Sequence, residues 1–200
     1  MASGPSLTAD DCERVRRWRY GSGERESLGT GTGTGTGTGS PAGRAAPPEI
    51  GRGVIVTNTT FRLCPWADVL YAMDAAWWQV HGDEAASAFG GDRCAPLTFK
   101  GVKKVRFQQF QNSGAGAASL AAFWGARRII LLGYDCQKTG GRAHWHGDHP
   151  ATLGNAGSVD KWPGQFGQLA AHLAGLEVIN CSRETALEAF PRRPLEEVLS

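Results

Sequence analysis

The clearest pattern of apolar and polar positions in the chain runs from Asn112 to Asp135. A polar Asn-Ser-Gly turn leads into small and apolar residues at 115–124, and Gly125 separates these from an unbroken apolar run at 129–132. Small helix-forming residues after an N-cap asparagine predict a short helix that packs closely on a sheet. The unbroken apolar run predicts a central parallel strand that is covered on both faces.

Weaker patterns predict the other elements. Acidic residues crowd the first turn of a helix expected at 9–19, and runs of β-branched and apolar residues indicate further strands. The expected strands are 54–61, 68–74, 105–110 and 177–180, and the other expected helices begin at Ala75 or span 163–176, 186–190 and 195–199. This order favours an α/β fold, a single Rossmann-like domain whose mostly parallel sheet is flanked by helices.

A segment rich in glycine and threonine interrupts the chain at 21–51. It has almost no side chain that could be buried, and glycine at every second position makes a strand entropically costly. We predict a disordered insert within one nucleotide-binding-like domain that spans 1–200. The functional site is expected to lie outside the insert.

Composition narrows the functional classes. The 21 basic and 19 acidic residues give a net charge of +2, which supplies no global attraction for nucleic acid. The five cysteines are widely spaced and form no Cys-x-x-Cys pair, so neither a disulfide framework nor a thiolate zinc site is indicated. The chain shows neither a secretion signal nor an apolar run of membrane-spanning length, which predicts a soluble, cytoplasmic protein.

Polar residues close several predicted strands, at the position where open α/β sheets bind ligands. Asn58 and Asp74 end two of the strands, and Asp135 follows the central strand. Trp77 and Trp78 come shortly after Asp74, where an indole could stack on a base or a sugar. Core packing is the favoured interpretation of both tryptophans.

The N-terminus of the predicted central helix points toward the same crevice, and helix N-termini favour anions. We therefore expect the turn at 112–114 and Asp135 to face one ligand. The turn consists of Asn112, Ser113 and Gly114. On this interpretation Asp135→Asn abolishes ligand binding or turnover and leaves the fold intact. The alternative is that the helix and strand are scaffold and that Asp135 only caps a turn.

A second turn, at 3–8, precedes the first predicted helix. Its Gly4, Pro5 and Ser6 could cradle a phosphate through backbone N–H groups, although an ordinary capped turn explains these residues equally well. Phosphate loops of this kind normally follow the first strand of a sheet. Only two residues precede the turn here, so we expect the first strand to be missing.

The loop 136–150 holds three histidines, His144, His146 and His149, within six residues. Histidine is the side chain best suited to move protons near pH 7, so we expect acid/base work or hydrogen bonding to a substrate. His144, His146 and Asp148 alternate, and an extended segment would place these three groups on one side, so a metal site is the competing interpretation. No distant metal ligand stands out in the sequence, and the acid/base role is preferred.

Taken together, these motifs resemble a known superfamily. The chain contains, in order, Gly-Pro-Ser-Leu, strands ending at Asn58 and near Asp74, Asn-Ser-Gly before an Ala-rich helix, Leu-Leu-Gly-Tyr-Asp, a histidine loop and Asn-Cys-Ser. This order resembles that of the Rossmann-like bacterial sialyltransferases and of proteins similar to 6-hydroxymethylpterin diphosphokinase. It is most similar to that of small phage and prophage proteins labelled norphogenetic.

The resemblance implies a function. In the sialyltransferases the matching motifs hold the nucleotide half of CMP-sialic acid, and a loop histidine acts as base without a metal. It thus implies a glycosyltransferase-like enzyme in the cytoplasm of a bacterial host, with a nucleotide-sugar donor as co-substrate and no firmly expected cofactor. The implied nucleotide-binding residues are Gly4, Pro5, Ser6, Asn58, Ser113 and Gly114, and the implied base is His149 or His146. Asp74 and Asn112 join the expected binding residues, and Asp135 joins the expected catalytic ones.

Two alternatives remain open. A pyrophosphokinase-like enzyme would need Mg²⁺ held by Asp74 and Asp135 to neutralise triphosphate charge. A phage protein that binds a nucleotide or nucleic acid through a degenerate site would fit the missing first strand. The acceptor of a transferase could be a glycan or a modified nucleic acid, and the protein could be a homo-oligomer.

We predict that replacing 21–51 with a brief linker changes the melting temperature little, because the entropic cost of loop closure grows slowly with loop length. Thermal unfolding of the shortened and full-length proteins, followed by circular dichroism, measures the difference. A loss of several kcal/mol in unfolding free energy would show that the segment is structural.

Overall fold

The computed structural model describes residues 1–21, 52–150, 153, 157 and 159–199, and the predicted insert lies outside them apart from Gly21. The helices are α1 (Ala9–Tyr20), α2 (Ala75–Ala88), α3 (Ser113–Phe123), α4 (Trp162–His172) and α5 (Leu195–Val198). The strands are β1 (Ile55–Thr57), β2 (Val69–Tyr71), β3 (Asp92–Ala95), β4 (Lys103–Lys104), β5 (Arg128–Leu131) and β6 (Glu177–Asn180). Short 3-10 helices lie at Asn58–Arg62 and Val159–Lys161.

The strands form two groups, and within the described residues each named pair of strands runs parallel. The first group has the order β1, β2, β3, β4, and the second pairs β5 with β6. Val56 lies opposite Leu70 in the first group, and Ile130 lies opposite Ile179 in the second. Parallel strands with helical connections confirm the predicted α/β fold.

Met1 and Ala2 join the two groups of strands. The Met1 amino group donates a hydrogen bond to the Ile55 carbonyl (2.6 Å), and the Met1 carbonyl accepts one from the Thr57 N–H (3.0 Å), which is the pattern of parallel pairing. On the other side, the Ala2 N–H donates to the Leu132 carbonyl (2.8 Å). The expectation of a missing first strand therefore needs correction. Two residues, too few to form a strand element, fill its position between β1 and β5.

The position of Met1 makes this point a topological switch of the sheet. The chain builds β1 to β4 on one side of it and β5 and β6 on the other. A switch of this kind leaves a crevice beyond the carboxyl ends of the two flanking strands, where α/β proteins bind ligands. The turn that follows Ala2 lies at this crevice.

Side chains of the strands alternate between two helical layers. Val56 and Leu132 pack with residues of α1 and α2, whereas Ile129 and Leu131 pack with residues of α3 and α4. Apolar side chains therefore cover both faces of the sheet. This two-sided burial explains the unbroken apolar run at 129–132.

The strand expected at 54–61 is shorter in the structure. It ends at Thr57, because Asn58 takes a left-handed backbone conformation (φ 49°) and a 3-10 helix follows. The β-branched residues Thr59 and Thr60 are buried in that 3-10 helix. Burial, and not strand formation, thus explains why β-branched residues occur at these two positions.

The segment 105–110 is not a strand, and the sheet instead uses the region that lacked a clear pattern. The Val105 N–H donates to the Ala95 carbonyl (2.9 Å), after which the chain leaves the sheet. β3 was missed because it opens with the polar Asp92 and Arg93, and only its second half is buried. β4 consists of two exposed lysines at the edge of the sheet.

The helix expected at 186–190 does not form either. The Ala186 N–H donates to the Asp135 carbonyl (2.8 Å), and the Leu187 N–H donates to the Thr185 hydroxyl (3.0 Å). These backbone donors serve tertiary and turn contacts in place of helical hydrogen bonds. The segment thus anchors the chain against the residues that follow β5.

The five cysteines are all buried with free thiols, as their spacing predicts. Of the helices in the described ranges, none is both long and apolar enough to cross a lipid bilayer.

α3 packs so closely on β2 that a methyl group does not fit at Gly116, where a Cβ would lie 2.8 Å from the Tyr71 ring. We expect Gly116→Ala to lower the unfolding free energy by about 1–3 kcal/mol, because overpacking outweighs a gain in helix propensity of ~1 kcal/mol. Gly82→Ala in α2 is the matched control, since its Cβ would lie 4.0 Å from Trp78, and it should be neutral or stabilising. Urea unfolding compares them, and equal effects would contradict the close packing.

Candidate functional site

Cavities lie at both ends of the central strands. The larger, of about 500 Å³, lies beside the amino-terminal ends of β1 and β5 and is lined mainly by apolar residues of these strands and of α3. The smaller, of about 380 Å³, lies beyond the carboxyl ends of the strands. We call the smaller one the switch-point cavity. Polar and titratable residues gather there, so it is the candidate site.

The switch-point cavity brings together residues that are far apart in the sequence. Most of the candidate site residues line it, namely Gly4, Asn58, Asp74, Asn112, Ser113, Gly114, Asp135 and His149. Pro5, Ser6 and His146 do not reach its wall. The strand-end rule thus assembles one site, while the chemical roles of its residues stay predictions.

Asp135 fixes the Gly-Pro-Ser turn. Its carboxylate accepts hydrogen bonds from the Ser6 N–H (2.8 Å), the Ser6 hydroxyl (2.7 Å) and the Thr139 hydroxyl (3.0 Å). The residue is 1% exposed, and burial raises the pKa of its carboxyl group. Ser6 therefore points at Asp135, and Asp135 positions the turn. Ser6 and Asp135 were both expected to contact the ligand directly. In the structure their polar groups form hydrogen bonds with each other.

Gly4 lies against this turn with no room for a side chain. A Cβ there would overlap Asp135 and the Gly133 carbonyl oxygen, and the Gly4 N–H donates to that same carbonyl (2.8 Å). Glycine is needed because only a bare backbone fits at this wall of the cavity. Pro5 is buried behind it.

The N-terminus of α3 forms another wall. The Asn112 side chain caps the helix by accepting a hydrogen bond from the Ala115 N–H (2.7 Å), and its amide donates to the Gln165 side chain (2.7 Å). Asn112 therefore orients the helix and ties it to α4. The predicted N-cap is confirmed.

Ser113 and Gly114 supply the first two N–H groups of α3. Helix geometry leaves these groups without partners inside the helix, and they carry the positive end of its dipole. The Ser113 hydroxyl accepts from the Met73 N–H (3.2 Å), and the Tyr134 hydroxyl donates to the Gly114 carbonyl (3.0 Å). The turn is thus held from both sides with its N–H groups at the cavity.

Asn58 combines an uncommon backbone conformation with a side-chain oxygen that is unpaired within the described part of the chain. Its left-handed backbone (φ 49°) is one that asparagine, aspartate and glycine adopt most readily. Its side-chain oxygen is buried and has no hydrogen-bond partner among the described residues. Both features cost free energy and are typical of binding sites.

The two tryptophans after Asp74 belong to the core. Trp77 is 3% exposed and Trp78 is 5% exposed, and the Trp78 indole donates to the Ala72 carbonyl (2.9 Å). The favoured interpretation, core packing, is confirmed. Trp77 also contributes to the cavity wall, while Asp74 is exposed at the same cavity.

The histidine loop folds its three imidazoles against one another. The ring centroids of His144, His146 and His149 are 4.5–5.1 Å apart, and each ring offers a nitrogen within 4.8 Å of the others. Gly147 (φ 86°) reverses the chain between the last two histidines. His149 therefore joins the cluster in place of the exposed Asp148, and the expected grouping by alternation is wrong.

Burial governs the charge of this cluster. It lowers the pKa of His144, which is 8% exposed, and it lowers the pKa of His146 to about 3 and of His149 to about 4. The neighbouring imidazoles add their repulsion at His146 and His149. The three side chains are therefore uncharged near pH 7. The Nε2 atoms of His144 and His146 have no hydrogen-bond partner within the described part of the chain.

Two residues that the sequence did not single out complete the cluster. The Ser3 hydroxyl lies 3.3 Å from His144 Nδ1, and the Ser3 carbonyl accepts from the Trp145 N–H (3.2 Å). His81 of α2 is buried, with its ring centroid 6.5 Å from that of His149. No local pattern marks His81, because it lies in α2, far from the loop in the sequence. The fold alone brings it beside the loop.

Comparisons with models of protein families, with curated proteins and with solved structures found no match. The resemblance to the sialyltransferase and diphosphokinase superfamily therefore stays an interpretation of the motifs. Fold and geometry define the class of protein as an α/β protein with a ligand-sized cavity at the switch point of its sheet.

We expect Asp135→Asn to lower the unfolding free energy by roughly 1–3 kcal/mol, because the amide NH₂ that replaces one carboxylate oxygen cannot accept the hydrogen bond that this oxygen accepts from Ser6. This replaces the expectation that the substitution leaves the fold intact. Thr139→Val removes one of the three hydrogen bonds and is the matched control, with a smaller expected loss. Denaturant unfolding measures both, and an Asp135→Asn protein as stable as the wild type would contradict the positioning role.

Proposed function

We propose that this protein is a transferase that takes a nucleotide-activated donor, such as a nucleotide sugar, in the switch-point cavity. The observation that carries the proposal is the convergence of a backbone turn, an unsatisfied asparagine oxygen and a histidine cluster on one cavity. A volume of about 380 Å³ lies within the range of small-molecule sites.

The backbone supplies the place for phosphate. The N–H groups of Ser113 and Gly114 carry the positive end of the α3 dipole, and Gly4 brings the chain close without a side chain. The described residues that line the cavity include no lysine or arginine. This favours a phosphate group of modest charge, such as the one that leaves with a nucleoside monophosphate.

Asn58 supplies specificity for the rest of the nucleotide. Its buried oxygen can accept a hydrogen bond from a ribose hydroxyl or a base amino group. Apolar rings stand nearby, since Trp77, Trp162 and Phe166 also line the cavity. A ligand with a polar edge and a flat apolar face matches these surroundings.

The histidines stand where the acceptor would be activated. His144 and His149 line the cavity, and transfer to an acceptor hydroxyl requires that its proton be removed. In the sequence-based mechanism a histidine takes this proton without a metal. A base with a pKa of about 4 accepts protons only weakly near pH 7, so His149 needs a further means of activating a hydroxyl.

The pyrophosphokinase alternative has less support. It needs Asp135 as a ligand of Mg²⁺, but both carboxylate oxygens of Asp135 accept hydrogen bonds from Ser6 and Thr139. A triphosphate would also bring several negative charges to a cavity that has no lysine or arginine among its described lining residues.

We expect nucleoside monophosphates or nucleotide sugars to raise the melting temperature of the wild-type protein. Asn58→Gly should weaken their affinity at least about tenfold, because the amide is lost while glycine keeps the left-handed backbone. Gln79→Ala, on the exposed side of α2, is the control and should change nothing. Thermal shift across a nucleotide panel followed by calorimetry gives both quantities.

A wild-type protein that binds none of these nucleotides would contradict the proposal and favour the degenerate-site alternative. Binding of a nucleoside triphosphate only with Mg²⁺ would favour the pyrophosphokinase alternative.

A further inference from the structure

We propose that His144, His146 and His149 bind a divalent transition-metal ion, with zinc the best match, at the wall of the switch-point cavity. Three ring nitrogens within 4.8 Å of one another are the core of the argument. Zinc bonds to histidine nitrogen at about 2.0–2.1 Å, so nitrogens of a tetrahedral site lie about 3.3 Å apart. Small rotations of the rings close the difference.

Two of the three imidazoles have a buried ring nitrogen without a hydrogen-bond partner among the described residues. His144 is 8% exposed, and its Nε2 atom, like that of His146, makes no hydrogen bond to any residue in the described ranges. An unsatisfied buried polar atom destabilises the folded state. The rings of His144 and His146 stack in parallel 5.1 Å apart, so neither gives the other a hydrogen-bond partner. A metal ion would give both nitrogens a partner.

The chemistry of the ligands selects the kind of metal. The cluster offers three nitrogen donors, which suit zinc, copper, nickel or iron and do not suit magnesium or calcium. Imidazole binds metal in its neutral form.

Neighbouring groups hold the ligands in place. The Ser3 hydroxyl lies at His144 Nδ1 (3.3 Å), which leaves Nε2 of the same ring for the metal. The Gly147 N–H donates to the His144 carbonyl (3.2 Å) and tightens the loop. His81 adds a buried imidazole beside the cluster, and its Nδ1 lies 3.5 Å from the Glu84 carboxylate. Such carboxylate–histidine pairs are common around metal sites.

His81 packs against the histidine loop from a distant part of the chain, which answers an objection that the sequence raised to a metal site. A loop alone rarely fixes metal geometry, and no ligand from elsewhere in the chain stood out. In the structure α2 packs His81 against the loop, with its ring 6.5 Å from His149, and the Ser3 turn packs against His144. Four of the five histidines of the chain thus meet at one point.

Three protein ligands leave a coordination position open, as in catalytic zinc sites. His144 and His149 line the switch-point cavity, so an ion that they hold would be accessible from it. A water or an acceptor hydroxyl bound to such an ion would lose its proton more readily than a free one. This catalytic use rests on the proposed function, whereas metal binding itself does not.

The test uses the full-length protein after removal of metal with EDTA. Titration with Co²⁺ should produce the visible absorption bands of a four- or five-coordinate nitrogen site at one ion per chain, and Zn²⁺ should abolish them by displacement. Separate His146→Gln and His149→Gln variants should weaken zinc affinity by at least roughly 100-fold, because each removes a direct ligand. His172→Gln, at the exposed fifth histidine in α4, is the matched control and should bind like the wild type.

Circular dichroism of each variant confirms that it is folded before its affinity is compared. Absence of the cobalt bands in the wild type would overturn the proposal and leave the metal-free histidine base. Unchanged zinc affinity in folded His146→Gln and His149→Gln proteins would overturn it as well. Asn58→Gly should still bind zinc, because it removes no ligand of the metal. A wild-type protein that binds zinc but none of the nucleotides would reject the proposed function and support the metal site.

Discussion

The backbone pairing of Met1 and Ala2 between β1 and β5 is the constraint on which the structure depends. These two residues connect strands that otherwise form separate groups, and they leave the chain at the crevice between them. The turn at 3–8 that follows them is fixed in position, because the Asp135 carboxylate accepts hydrogen bonds from the Ser6 N–H and hydroxyl. The Asp135 carboxylate, which follows a buried strand, thus holds the backbone of the site in position.

The same pairing explains why the cavity walls come from four parts of the chain. β1 delivers Asn58, β5 delivers Asp135, α3 delivers its N-terminal N–H groups, and the loop after β5 delivers the histidines. Each element ends at the same edge of the sheet because the strands are parallel. The topology of the sheet therefore determines which parts of the chain line the cavity. The local sequence determines only which side chains they present.

Much of this could be predicted from the sequence where a pattern is local and strong. The cap at Asn112, the small residues of α3 and the apolar run of β5 each point to one structure, and the structure agrees. β3 could not be predicted, because it opens with Asp92 and Arg93, which are polar and only half-buried, so the strand lacks an apolar pattern. The segment 105–110 failed for the opposite reason, since its apolar residues pack against α3 and β2 without joining a ladder.

The candidate site divides in the same way. Strand ends and a helix N-terminus mark the lining residues, but the sequence does not tell which polar groups are already engaged by others, as at Asp135 and Ser6. It also cannot show that a tight turn at Gly147 brings His149 onto two earlier histidines, or that His81 arrives from α2. These facts depend on tertiary packing, and they replace a single histidine with a cluster of imidazole rings.

The proposed function requires that the backbone at the N-terminus of α3 bind phosphate in the cavity that the histidine cluster lines. Crystals of the protein grown with a nucleoside monophosphate test that requirement most directly. We predict the phosphate within hydrogen-bonding distance of the Ser113 and Gly114 N–H groups and the nucleoside against Asn58. A nucleotide bound in the apolar cavity beside the amino-terminal ends of β1 and β5, or at any surface away from the switch point, would contradict it.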